Sequence, residues 1–175
     1  MSEKISSYND KRVKLVEYQM HVYTLEWEMT LPVSVQEAFA VFENPSNLGR
    51  VTPAWLHFRI TSPEPIHIRA GVEIRYQIAW LGIPMKWRTI ITEYEPPFYF
   101  VDEQAKGPYR LWRHHHSLWP TEEGTVIRDR VEYALPFGWL GRLAHWLLVR
   151  RQLYRIFAYR QTAMEELIRA ATTEK

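Results

Sequence analysis

The last change in the hydrophobic period of this chain comes late. Between residues 57 and 135 the pattern runs at period two through successive short segments; from Gly138 it turns helical and stays so to about residue 171. Turn residues separate the segments: Pro63, Pro65 and Gly71, then Gly82 and Pro84, Pro96 and Pro97, Ala105 to Pro108, and finally Glu122, Glu123 and Gly124. Strands that follow one another through short turns pair antiparallel, and such a sheet has an apolar face to bury. The only large apolar partner is the predicted C-terminal helix, about 50 Å long at 1.5 Å per residue. A sheet wrapped on one helix must curve, and it leaves a cavity between the two.

Residues 21–31 form the first predicted strand. Tyr23, Leu25, Trp27, Met29 and Leu31 alternate there with Thr24, Glu26, Glu28 and Thr30. Pro32 ends it, and Ser34 with Glu37 reads as a capping box opening a short helix over 35–42. Asn44, Pro45 and Ser46 break that helix, and a second short helical turn follows over 45–50. Six strands come next: 57–61, 72–80, 85–93, two within 97–119, and 125–135. In the last, Thr125, Ile127, Asp129, Val131 and Tyr133 face inward. The C-terminal helix is read with a buried stripe through Leu140, Leu143, Ala144, Leu147, Arg151, Tyr154, Phe157, Ala158, Gln161 and Ile168. Residues 1–18 read as a mobile N-terminal arm, with 11–18 alternatively a short helix or a strand extension. Residues 19–172 make one domain.

Composition narrows the function. The chain has no cysteine, so disulfides, thiolate metal sites and a thiol nucleophile are ruled out, and a reducing, cytoplasmic setting is expected. Its start is polar and lacks a signal-peptide core. Formal charge is +2, from 22 basic and 20 acidic residues, too even for a nucleic-acid partner. Aromatic residues reach 14%, with eight Trp, ten Tyr and seven Phe, enough to line a shaped pocket as well as fill a core.

The stretch 97–119 carries the chemistry. Asp102, Gln104, His114 and His116 fall at strand spacing beside Phe100, Trp112 and Leu118. Polar groups on an apolar strand face are unfavourable unless they have partners or a use. His114 and His116 share a face, and His115 and Ser117 point the other way, which makes a serine triad untenable. The turn length sets Asp102 opposite Trp112 and Phe100 opposite His114, with His116 near Asp129.

This order of elements resembles the helix-grip fold of the START-like (SRPBCC) superfamily, which includes polyketide cyclase/dehydrase, lipid-transfer and Bet v 1-like proteins. The wording is similar to bacterial ligand-binding members in five places: PAWL from Pro53, AGVEIRY from Ala70, GIPMKWRT from Gly82, PPFYFVDEQAKGPYRLWRHHH from Pro96, and TVIRDRVEYALPFGWLGRLAHWLLVRRQL from Thr125. The resemblance spans about residues 21–168. It implies an α+β fold, a curved antiparallel sheet of about seven strands around the long helix, with two short helices after the first strand. It also implies a His-x-His pair with a free middle position, as at His114 and His116.

Four readings of the site stand open. The histidines are satisfied core residues; or they orient a small molecule; or they act as acid and base; or they bind a metal with a carboxylate. A metal lacks a second spaced pair, so no metal and no cofactor is expected. The function expected is binding, and transport or sequestration, of a hydrophobic or aromatic small molecule or lipid-like ligand. Its pocket would be lined by Trp27, Tyr76, Trp87, Phe100, Asp102, Gln104, Trp112, His114, His116, Asp129 and Tyr133. The alternative is a cyclase- or dehydratase-type lyase using His114, His116 and Asp129. Arg150, Arg151, Arg155 and Arg160 read as a solvated helix face, with transient contact to anionic lipid as the other reading. Residues 45–56, carrying Trp55, read as a plain loop or a gate to the cavity. The chain is expected to be a monomer or homodimer.

Overall fold

The structure, a computed structural model, describes residues 20–173. The predicted arm, 1–18, lies outside the described residues. Seven strands form one antiparallel sheet: β1 (Tyr23–Leu31), β2 (Arg59–Ile60), β3 (Glu73–Trp80), β4 (Ile83–Glu95), β5 (Tyr99–Lys106), β6 (Leu111–Thr121) and β7 (Gly124–Ala134). Their order is β1-β7-β6-β5-β4-β3-β2, so the first strand pairs with the last and short β2 forms the far edge. The period-two pattern sorts the faces. Ion pairs lie across the outer face, Arg128 with Glu28 at 2.7 Å and Arg113 with Glu93 at 2.6 Å. The inner face carries Trp87, Ile91, Leu118, Ile127 and Val131, all buried.

Helix α1 (Val35–Phe42) starts where the sequence says it should. Ser34 Oγ accepts from the Glu37 amide, and the Glu37 carboxylate accepts from the Ser34 amide at 3.2 Å. Two 3-10 turns follow, Pro45–Asn47 and Ala54–Leu56. Val35, Ala38, Phe39 and Phe42 join Leu31, Ile91, Phe100, Leu118 and Ile127 in one buried cluster, closed by Met164, Leu167 and Ile168 from the C-terminal helix. A second cluster gathers Val131 and Tyr133 with Val149, Leu153 and Phe157. The helix therefore grips the sheet near both ends.

The C-terminal helix departs from the predicted stripe. It comprises α2 (Gly138–Ala144), a π-helical turn (His145–Val149) and α3 (Arg150–Thr173). The buried positions are Gly141, His145, Val149, Leu153 and Phe157, at a constant step of four, and then Met164, Leu167 and Ile168. Leu140, Leu143, Leu147 and Tyr154, expected inside, are exposed. The wide turn contributes to this: a single π-helical turn over His145–Val149 holds more residues than an α-helical one and lengthens the local step between buried positions. Gly141 fixes the docking, since a Cβ there would lie 2.2 Å from the Pro136 carbonyl oxygen.

The β5–β6 register also differs from the expectation. Asp102 pairs with His114, and Phe100 with His116. Gln104 explains the shift. Its side chain donates to the Tyr109 carbonyl at 2.7 Å and accepts from the Tyr109 amide at 3.2 Å, so the β5–β6 pairing stops at Glu103 with Arg113. The displacement is two residues, so every side chain keeps its predicted face.

Candidate functional site

Three adjacent strands put four ionisable groups on the inner face. His116 pairs across the ladder with Asp129 on β7 and lies diagonal to Asp102 on β5. Its Nδ1 donates to Asp129 Oδ1 at 2.6 Å and its Nε2 to Asp102 Oδ2 at 3.1 Å. An imidazole whose two nitrogens both face carboxylates must carry both protons. Burial disfavours that charge, but Asp129 and Asp102 outweigh it and raise the His116 pKa above its ordinary value. Burial likewise opposes ionisation of both acids. The bonds and charge of His116, with the neighbouring His114 ring and, for Asp102, Arg160, overcome it, so Asp102 and Asp129 are held below the usual carboxylate range.

His114 behaves oppositely. Its ring lies 3.9 Å from that of His116, centroid to centroid. Burial and then the neighbouring imidazolium push its pKa down, against Asp129 and Asp102. Its nitrogens stand 3.4 Å from Asp129 Oδ2 and 3.6 Å from Asp102 Oδ2, longer than the hydrogen bonds that His116 makes. Arg160 of α3 completes the set, with Nε 3.8 Å from Asp129 Oδ2. Two carboxylates, one imidazolium and one guanidinium cancel, and His114 stays neutral.

A pocket of about 380 Å³ lies between this face and the helix. The inner faces of β3 and β4 supply Ile74, Tyr76, Ile78, Trp87 and Thr89, and α3 supplies Leu153, Ile156 and Phe157. Tyr76 stacks on Trp87 at 5.9 Å, and Trp112 meets Trp87 edge-on at 5.3 Å. Asp102, His114 and Arg160 reach the same wall, as does the Tyr76 hydroxyl, 3.3 Å from Thr89 Oγ1. Burial, with the Asp102 charge, holds that phenol far above its ordinary pKa.

Of the residues singled out in the sequence, Tyr76, Trp87, Asp102, Trp112 and His114 line the pocket. The others stand behind the wall. His116 and Asp129 back His114; Phe100 stacks on His116 at 4.2 Å and packs against Phe39. Trp27 packs against the core clusters, and Gln104 is spent on the Tyr109 backbone. The Tyr133 hydroxyl bonds to His145 Nε2 at 2.9 Å, fastening the π-helical turn to β7. Arg160 is hidden in a basic run; its place between Phe157 and Met164 on the buried stripe is the available signal. Leu48, Val51, Leu56 and Phe58, from the segment around Trp55, also line the pocket, while Trp55 itself packs against Tyr159 and beneath Arg155.

Asp102, His114 and His116 offer ligand atoms within 4.8 Å of one another, a set that a cation could share. Ligation would require His116 to lose a proton that two carboxylates stabilise, and would add positive charge beside Arg160. The charge arrangement therefore favours the hydrogen-bonded set over a metal centre.

A family model described as polyketide cyclase / dehydrase and lipid transport matches residues 31–157. Among curated proteins, no sequence matches the chain. Solved structures are similar in fold. A protein from Thermus thermophilus is 16% identical with TM-score 0.67, covering 85% of this chain and 99% of its own. A point mutant of norcoclaurine synthase from Thalictrum flavum, in complex with a transition-state analogue, is 13% identical with TM-score 0.63, covering 89% and 99%. The di-domain ARO/CYC StfQ from the steffimycin biosynthetic pathway is 17% identical with TM-score 0.62, covering 87% of this chain and 52% of that one.

Proposed function

The chain belongs to the polyketide cyclase / dehydrase and lipid transport family, and from that premise we propose that its pocket binds a hydrophobic or aromatic small molecule carrying at least one polar group. The distribution of polarity supports this reading. The aromatic panel of Tyr76, Trp87 and Trp112 offers ring faces and edges to an apolar body. Asp102, His114, Arg160 and the Tyr76–Thr89 pair offer a few polar groups to orient it. His114 is the central handle: neutral, on the pocket wall, and able to donate or accept.

Native mass spectrometry of freshly purified protein tests the proposal. It should show a co-purified small molecule that His114→Ala releases or weakens without loss of fold. If His114→Ala lowers the melting temperature and leaves binding of that molecule unchanged, the histidine is structural and the reading of the site fails.

The second reading is a cyclase- or dehydratase-type enzyme, and one observation favours it. A neutral imidazole in a pocket, backed by the Asp129 carboxylate at 3.4 Å, has the make-up of a general base. His116, caged between two carboxylates, then positions and tunes His114 rather than touching substrate. The two readings separate on turnover. A carrier returns its bound compound unchanged; an enzyme converts it, and conversion stops in His114→Ala while binding persists.

A further inference from the structure

The outward face of α2 and the π-helical turn is apolar where a surface should be polar. Phe137 is 79% exposed, Trp139 65% and Trp146 72%, and Leu140, Leu143 and Leu147 are exposed beside them. A contiguous apolar face of this kind on a soluble chain marks a contact. It is not a swinging segment whose apolar side could fold inward. Gly141 is locked against Pro136, and His145 is held by the Tyr133 hydroxyl at 2.9 Å and by Tyr23, stacked on its ring at 3.5 Å. The step-of-four geometry that buries Gly141, His145 and Val149 leaves the remaining apolar side chains outside.

Charge identifies what covers them. No Asp or Glu occurs between Glu132 and Glu165, while Arg142, Arg150, Arg151 and Arg155 lie there exposed; Arg160 turns inward to Asp129. At the same step of four, the outer row Trp139, Leu143, Leu147 continues into Arg151 and Arg155. Arg142, Arg150 and Arg151 are exposed. A second copy docking here through a two-fold axis would bring this wholly basic strip against itself. An anionic bilayer meets both halves: the rings and leucines enter the headgroup–acyl boundary, and the guanidinium groups stay among the phosphates. The helix is a surface element only, since no helix among the described residues is long and apolar enough to cross a membrane.

We infer that Phe137, α2 and the π-helical turn form an interfacial docking surface for an anionic lipid bilayer, adjoining the pocket. Phe137, Ala144 and Val149 belong to the pocket lining and to this segment alike. Docking would bring this side of the pocket up to the lipid. The surface exists whether or not the pocket binds a ligand.

Flotation of the full chain with vesicles tests this directly, using phosphatidylcholine alone and phosphatidylcholine mixed with phosphatidylglycerol. The chain should float with the mixed vesicles at low salt and be released by high salt. The pair Arg150→Glu and Arg151→Glu should lower partitioning by about tenfold or more. Trp139→Ser with Trp146→Ser should abolish flotation. Both side chains are exposed, so circular dichroism and the melting temperature of that variant should match the parent. No flotation with anionic vesicles, or equal flotation with neutral ones, overturns the inference. So does a dimer, seen by sedimentation, that the tryptophan pair dissolves in a chain that ignores vesicles; the face would then be an interface between copies.

Discussion

Asp129 Oδ1 lies 2.6 Å from His116 Nδ1, joining β7 to β6 through a fully buried carboxylate. That contact organises everything around it. It fixes His116 as the cation, which pushes His114 toward neutrality, and it gives Arg160 of α3 an anionic target on the sheet. The polar groups that first look misplaced on an apolar strand are thus a charge-balanced cluster, with one neutral member facing the pocket.

Asp129→Asn keeps the shape and removes the charge. His116 would retain only Asp102, and Arg160 would face no anion on β7. Breaking a buried pair on one side leaves a desolvated charge, at a cost of about 3 kcal/mol. Urea unfolding near neutral pH should show a loss of that order. A loss within the range of an exposed ion pair, under about 1 kcal/mol, would mean that the cluster is solvated.

The His116 contribution has a definite pH sign. Its folded pKa stands above the unfolded value of about 6.5. The stabilisation is fully present below about 6.5 and is lost as pH rises through the folded value. His114 has the opposite sign, because its lowered pKa makes the unfolded chain the better proton acceptor, and its shift depends on His116. Measured in a His114→Gln background, where that ring titrates in neither protein, the stability gap made by His116→Gln should be widest in mild acid and narrow as the solution becomes alkaline. A gap that stays constant or widens with rising pH contradicts an imidazolium at His116.

Gly141→Ala tests how α2 is held. The new methyl would sit 2.2 Å from a backbone carbonyl oxygen, an atom that cannot swing aside as a flexible side chain would. Strain of about 2 kcal/mol follows, and hydrogen exchange across α2 and the π-helical turn should speed up more than in β6 or β7. Uniform exchange throughout the molecule would show that the glycine only serves local helix geometry.

The parts of this molecule that are legible in sequence are those set by local rules. Ser34 and Glu37 announce α1 because a capping box needs only four residues. The inward set Thr125, Ile127, Asp129, Val131 and Tyr133 follows from strand alternation alone. The β5–β6 register is not legible in this way because it depends on a side chain: Gln104 takes both backbone groups of Tyr109 and moves the turn centre. The helix stripe misleads because a π-helical turn changes the period, and Leu143 and Leu147 fit the wrong face as well as Val149 and Leu153 fit the right one. Arg160, read with Arg150, Arg151 and Arg155 as a solvated face, is misplaced for the same reason: the structure turns it inward to Asp129.

Arg160 supports the last prediction. With it, the cluster sums to zero: Asp102 and Asp129 negative, His116 and Arg160 positive. Arg160→Gln leaves one uncompensated negative charge beside His114, and a nearby negative charge favours the protonated imidazole. The His114 titration midpoint should move upward in the variant. His116, already held between two carboxylates, should remain protonated across the same range. Ring-proton resonances of the two histidines, followed by NMR against pH in parent and variant, measure both at once. If the His114 midpoint does not move, Arg160 is screened from the cluster, and the 3.8 Å contact with Asp129 carries no electrostatic weight at the pocket wall. An upward move would show that a residue on α3 bears on the protonation of a residue on β6.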